Sequence, residues 1–200
     1  MEAHFNNEDS RLAVCASRAV GVPKDDKKWY IAVVGFNTEK SSNRKLTELG
    51  YETYLPLQNY ISVWKDGRRK KRERIVIPTI IFTKLTEQER QYVVKLPFIS
   101  NFMVNNAVKV DKFNRHPIAT VPDEQIRKLQ FMLGQNDTEV LFDPSKARMG
   151  DKVRIIRGSL ASLEGTLCRQ DEKKAYVVVQ LDYLGSAKIE VSMTDIEQIK

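Results

Sequence analysis

Residues 63–82 read VWKDGRRKKRERIVIPTIIF, and how this stretch is divided decides the organisation of the chain. From Lys65 to Arg74, seven Lys or Arg stand against two acids; from Ile75 to Phe82 there is no charge. Asp66-Gly67 is a hairpin signal. KDGRRKKRER therefore reads as a turn, entered by YETYLPLQNYISVW (51–64, interrupted at Pro56) and left by IVIPTIIFTKL as the partner strand. Alternate strand residues face opposite sides. One side of 75–83 would carry Ile75, Ile77, Thr79, Ile81 and Thr83, the other Val76, Pro78, Ile80 and Phe82. A strand apolar on both sides is either a buried central strand or a surface left for a partner. Pro78 donates no ladder hydrogen bond, which counts against a fully paired central strand.

Working outward, WYIAVVGF (29–36) is a continuous apolar run with aromatic and β-branched members, the pattern of a buried strand. NTEKSSNRKLTELG follows. Asn37 or Thr38 can cap a helix, Leu46 and Leu49 give it a thin apolar stripe, and Gly50 can end it. Thr86 and Glu89 have capping-box spacing, and Pro97 closes the segment, so a helix is expected over about 87–95. FISNFMVNN reads as a short strand. Pro122, Asp123 and Glu124 suit a helix start, Ile126, Leu129, Met132 and Leu133 line one face, and Gly134 stops it.

Beyond Gly134 the character changes. GQNDTEVLFDPSKARM reads as a linker. Five short β-like runs follow, at 152–156, 165–170, 175–181, 187–191 and 195–199, as expected for a small β-barrel. The organisation expected is an N-terminal extension over 1–28, an α/β sandwich with an antiparallel sheet over 29–134, a linker over 135–148 and an all-β domain over 149–200. The fold class is α+β.

The chain has 200 residues, a formal net charge of +7 and 42% apolar residues. That is enough apolar content for a core, and +5 of the charge lies in residues 65–74 alone. Basicity concentrated in this way favours a polyanion-facing or partner-facing patch; a solvated hairpin tip is the plainer reading. Cys15 and Cys168 suggest neither a disulfide framework nor a metal site, and His4 and His116 lack neighbours at ligand spacing. No run approaches the roughly 18 apolar residues of a membrane span. The only apolar N-terminal run is interrupted by Arg18 and preceded by acids, unlike a signal peptide. A cytoplasmic protein is expected, without membrane contact.

No phosphate loop, dinucleotide fingerprint, zinc motif or nucleophile elbow occurs. RGSLAS lacks the second glycine of the elbow, and the acid pairs lie in expected loops. The expectation is a binding protein rather than an enzyme, with no catalytic residue, cofactor or metal.

Taken in order, WYIAVV, ELGYETYLP, KDGRRKKRERIVIPTIIF and LPFISNFMV resemble the N-terminal (NGN) domain of the NusG family of transcription elongation factors. The segment from Ala147 onward, with Gly150-Asp151, Gly158, Gly165 and Leu184-Gly185, resembles that family's KOW domain, an SH3-like barrel. The resemblance covers residues 29–200. It implies a monomer that docks an apolar depression on the clamp helices of RNA polymerase and favours processive transcription. By position, the docking residues would be Val33, Ile77, Pro78, Ile80, Phe82 and Phe102. The basic patch Lys65, Arg68, Arg69, Lys70, Lys71, Arg72 and Arg74 would face non-template DNA, nascent RNA or an acidic polymerase surface. The KOW domain would meet a ribosomal small-subunit protein or another partner through an apolar tip of Leu160, Leu163 and Leu184.

Departures from the family pattern narrow the expectation. Ile77-Pro78-Thr79-Ile80 replaces a Phe-Pro-aromatic pattern, and Gly158-Ser159-Leu160-Ala161 replaces Gly-Pro-Phe-Ala. With the N-terminal extension, these resemble a specialised antitermination paralogue of the RfaH or UpxY type, serving a capsular polysaccharide operon. A general elongation factor is the alternative within the family. An RNA-binding or ribosome-associated KOW protein is the alternative outside it.

Overall fold

The computed structural model describes residues 27–64, 67–108, 115–135, 139–144, 150–171 and 174–199. Most of the expected N-terminal extension, Lys65 and parts of the expected linker lie outside the described residues.

The apolar run at 29 gives β1 (Lys28–Val33), shorter than its sequence pattern. The chain leaves the strand because Gly35, Phe36 and Asn37 turn it, with Asn37 at φ 63°. Phe36 is consequently 70% exposed. Helix α1 (Glu39–Glu48) follows. The Thr38 hydroxyl donates to the Gly35 carbonyl at 2.7 Å instead of capping the helix. Gly50 closes the far end at φ 85°, a conformation that glycine adopts without strain.

Pro56 separates β2 (Glu52–Tyr54) from β3 (Leu57–Val63). Most of the basic run is a strand rather than a turn: β4 (Arg69–Ile75) pairs antiparallel with β3. Paired with β3 in a ribbon exposed to solvent, a cationic segment loses little by extending. IVIPTIIF is likewise not one strand. The chain turns over Val76–Thr79, and β5 (Ile80–Leu85) begins afterwards. Pro78 supplies the break, and Thr79 takes φ 62°, unusual for a β-branched residue. The Glu39 carboxylate, buried at the head of α1, holds that turn by accepting from the Thr79 N–H at 2.9 Å.

The capping box forms as spaced. Thr86 Oγ1 accepts from Glu89 N, and the Glu89 carboxylate accepts from Thr86 N, at the start of α2 (Glu87–Val93). Then come β6 (Asn101–Phe102), β7 (Thr120–Val121) and α3 (Asp123–Gly134).

The first sheet runs β2-β5-β1-β6, with β7 also on β1. β1 and β5 are antiparallel, Ile31 opposite Phe82 and Val33 opposite Ile80. Opposed residues share a face. One face carries Tyr30, Ala32, Ile81, Leu85 and Phe102, buried with Leu46 of α1 and Val93 of α2. The other carries Trp29, Ile31, Ile80 and Phe82, buried with Ile126, Leu129, Met132 and Leu133 of α3.

The C-terminal half is a six-stranded antiparallel sheet, β13-β9-β10-β11-β12-β8. Five strands match the five expected runs: β9 (Lys152–Ile155), β10 (Glu164–Asp171), β11 (Lys174–Leu181), β12 (Gly185–Val191) and β13 (Ile196–Gln198). The sixth, β8 (Val140–Asp143), arises inside the expected linker and pairs with β12. Gly165, within β10, makes a close backbone approach to β11. A Cβ there would lie 2.6 Å from the Val178 carbonyl oxygen. Among the described residues no helix is long and apolar enough to cross a membrane.

Replacing Thr86 by Ala removes the cap and should lower stability by about 1 kcal/mol, read from the denaturant midpoint at unchanged m. Asp123 accepts from Trp29 Nε1 at 2.6 Å and Lys84 Nζ at 3.0 Å, and Lys84 first, then Trp29, holds its carboxyl below the usual value of 3.8. A depressed carboxyl contributes stability above its unfolded value and loses it as pH falls through the folded one. Asp123→Asn should therefore lower stability at neutral pH and lose less on acidification below pH 3.8, measured by melting from pH 7 to 2.

Candidate docking face and basic ribbon

The residues expected to dock a partner do not form a bare ledge. Ile77, Ile80 and Phe82 are 2%, 5% and 0% exposed. Val33 is half-buried, and Pro78 alone of the six is exposed. Phe102 lies on the opposite face, edge-on to Tyr30 at 6.0 Å and under the Arg90 guanidinium. The turn at 76–79 explains the grouping. It shifts the alternation, so Ile77 joins Ile80 and Phe82 although their numbers differ in parity.

α3 packs on this face, and the buried cluster continues beyond it into the C-terminal sheet. One continuous buried cluster runs from Trp29, Ile77, Ile80 and Phe82 through α3 to Val153, Val177, Leu181 and Ile189. The apolar tip expected on the C-terminal half, Leu160, Leu163 and Leu184, is also buried and belongs to this cluster. Both expected partner surfaces are thus enclosed in the same interior. Polar ties join the halves. The Asp182 N–H donates to Gln125 Oε1 at 2.9 Å, and Asn105 Nδ2 donates to the Tyr183 hydroxyl at 3.0 Å.

Tyr54 stacks on Phe82 with ring centres 6.1 Å apart. Its hydroxyl is buried without a hydrogen-bond partner among the described residues, and burial pushes the phenol above its ordinary range. A tyrosine in a short strand before a proline gives no sequence signal of this.

The basic residues are placed by the ribbon of β3 and β4. Its register sets Tyr60 opposite Arg72 and Gln58 opposite Arg74, and Trp64 N–H bonds to the Arg68 carbonyl at the tip. One face therefore presents Tyr60, Trp64, Arg68, Lys70 and Arg72, with no acid among the described residues. The other mixes Arg69 and Lys71 with Asn59, Ile61 and Glu73; Glu73 is paired with Lys40 at 2.8 Å. Tyr60 is 40% and Trp64 52% exposed, and the Arg72 guanidinium lies 5.7 Å from the Trp64 ring centre. At about 3.3 Å per residue the two rings are roughly 13 Å apart along the strand. Arg74 departs from the expected patch. Its guanidinium turns inward to Gln58, Glu139 and Val140. Nothing at these positions in the sequence signalled that network.

A cleft of about 480 Å³ is lined by Lys28, Tyr30, Glu87, Arg90, Arg115 and His116 among others. His116 is exposed, its Nδ1 3.1 Å from the Val108 carbonyl. Among the described residues no group of three His, Cys, Asp or Glu could hold a metal.

A family model described as "NusG: Transcription termination factor nusG" matches residues 27–130, the β1-to-α3 unit just described. The chain belongs to the NusG family. Among solved structures it is similar to one described as "Domain interaction in Thermotoga maritima NusG", 17% identical, covering 89% of this chain and 100% of that one, at a TM-score of 0.45. It is also similar to the MjSpt4:Spt5 complex in conformations A and B. These are 12% and 14% identical, cover 86% of this chain and 98% and 97% of theirs, and have TM-scores of 0.26. No curated protein matches. Membership of NusG places the chain among factors of transcription elongation and antitermination.

Phe82→Ala should lower stability by about 3–5 kcal/mol, as for a fully buried aromatic, whereas Phe36→Ala should change it by less than about 0.5 kcal/mol. Tyr54→Phe removes an unsatisfied hydroxyl and should raise stability by about 1 kcal/mol. Urea titrations of the three variants decide both points.

Proposed function

We propose that this NusG-family chain is a non-enzymatic transcription elongation and antitermination factor that binds RNA polymerase through the face of Ile77, Ile80 and Phe82. The observation that carries the reading is that this face and the Leu160, Leu163 and Leu184 tip lie in one continuous buried cluster. The part of this cluster that comes from the separate C-terminal half can leave while α3 stays packed on the face, so the rim can be opened without dismantling the N-terminal core. Pro78 and half-buried Val33 lie at the rim, where a partner would first touch. The C-terminal half is read as a KOW domain whose own partner, a ribosomal small-subunit protein or another factor, meets it once the halves part.

The ribbon supports the second element of the reading, contact with single-stranded nucleic acid in the transcription complex. Tyr60 and Trp64 offer stacking surfaces at about 1–3 kcal/mol per base. Arg68, Lys70 and Arg72 beside them offer phosphate contacts that weaken as salt rises. The narrower assignment, a specialised factor for a capsular polysaccharide operon, rests on the divergent docking turn and C-terminal tip.

Binding of the full chain to purified polymerase core tests the reading. Weak wild-type binding should strengthen severalfold in Gln125→Ala, which loosens the cover, and fall with Pro78→Asp. Absence of binding in every case ends it. Alanine at Tyr60 and Trp64 should weaken single-stranded DNA binding at all salt concentrations. Reversal of Arg68, Lys70 and Arg72 should also flatten its salt dependence; unchanged affinity would remove the ribbon from the mechanism. Loss of the gene should silence the distal part of one operon under the narrower reading, and shift many genes together under general elongation.

A further inference from the structure

Thr79 holds φ at 62° in the turn between β4 and β5. A β-branched side chain crowds the backbone there, in a region that glycine enters without strain. The turn keeps Thr79 in place by engaging its N–H, its carbonyl and its hydroxyl. The N–H donates to Glu39 Oε1 at 2.9 Å, the carbonyl accepts from the Val34 N–H at 2.9 Å, and the hydroxyl donates to the Pro78 carbonyl at 2.7 Å. The first of these is the costly one. Glu39 is 2% exposed, and its Oε2 has no hydrogen-bond partner among the described residues. Burying a carboxylate with one oxygen unpartnered costs free energy, and its place at the head of α1 offsets only part of that through the helix dipole. An apolar side chain would fill the same site at lower cost. What the carboxylate adds is a charge-assisted hold on one main-chain N–H, forty residues along the chain.

We propose that Glu39 is a positioning residue for partner binding: it holds Thr79 left-handed, and through that one residue sets Pro78 on the rim and Ile77 beside Ile80 and Phe82. The inference deepens the proposed function and rests on it for the identity of the partner, RNA polymerase; the hold on the turn stands apart from that reading. Without the carboxylate, Thr79 relaxes to negative φ. The change of alternation at 76–79 is then lost, and Ile77 and Pro78 are presented in another arrangement. Glu39 itself lies on α1, away from the exposed Pro78 it positions, so its effect on a partner passes through the turn. Threonine at 79 is what makes the carboxylate necessary. A glycine there takes the same φ unaided, so binding should depend on Glu39 only while residue 79 carries a side chain.

A double-mutant cycle between Glu39→Ala and Thr79→Gly in the full chain tests this. It is read by affinity for purified polymerase core and by NMR exchange of the Val34 amide, which reports the shape of the turn because the Thr79 carbonyl is its acceptor. Glu39→Ala should weaken binding severalfold and speed Val34 exchange by about tenfold or more. The Leu49 amide, bonded to the Lys45 carbonyl at the far end of α1, should keep its protection. Adding Thr79→Gly should bring both readouts to within about twofold of Thr79→Gly alone, the non-additivity expected of coupled residues. Glu39→Gln, which keeps the acceptor and removes the charge, should stay near wild type in both. Equal losses with threonine and with glycine at 79 overturn the proposal, as does a Val34 amide that Glu39→Ala leaves unchanged. If Glu39→Ala loses protection throughout, Glu39→Leu, which refills the buried site, takes its place in the cycle under the same criteria. A wild-type chain that binds no polymerase overturns the docking reading and the claim on affinity together. The Val34 cycle then decides by itself whether Glu39 sets the turn.

Discussion

The second face of the β1–β5 pair governs the molecule. Trp29, Ile31, Ile80 and Phe82 line it, and apolar surface of that extent is removed from water by whatever can reach it. The first face is completed by α1 and α2. The second has α3, twelve residues and about 18 Å long. Beyond α3 the buried cluster continues into the C-terminal sheet. The two halves are consequently not beads on a string. Their interiors are continuous, and the polar ties at Gln125, Asn105, Gln58 and Arg74 fix the angle at which they meet. Whatever this family member does with its partners must begin from this arrangement.

Much of the fold was legible because it is local. The capping box at Thr86, the helix stop at Gly50, the apolar stripe of α3 and the five C-terminal strands follow from spacing alone. The site was less legible because it depends on parity and on distance. Reading IVIPTIIF as one strand divided its residues into two wrong sets; Pro78 and the left-handed Thr79 reset the alternation, and Ile77 changed sides. The basic run was read as a turn because charge suggests solvent, yet a two-stranded ribbon in solvent satisfies the same charge. An apolar face on a strand signals burial without naming the burying group. The cluster that buries it draws on Ile126, more than forty residues further along the chain, and on Ile189, more than a hundred, and no local pattern announces that. Arg74 shows the same gap at single-residue scale, being indistinguishable in sequence from Arg72 two positions earlier.

Glu39 is a quieter case of long-range positioning. Its carboxylate is buried and reaches the Thr79 amide, forty residues away. Val34 donates to the Thr79 carbonyl in the same turn. A residue that reads as an ordinary acid in the first turn of a helix therefore fixes where β5 starts, and with it which side chains share the covered face.

The ribbon of β3 and β4 forms a two-stranded sheet of its own, separate from the five-stranded one. Its outer end can accordingly grow or shrink without disturbing the core. Insertions of two residues on each arm would lengthen the reach and keep the aromatic and cationic row on its side. Insertions of one would rotate that row to the back. Evolution can thus retune the span of this arm in discrete steps, leaving the machinery beneath it untouched.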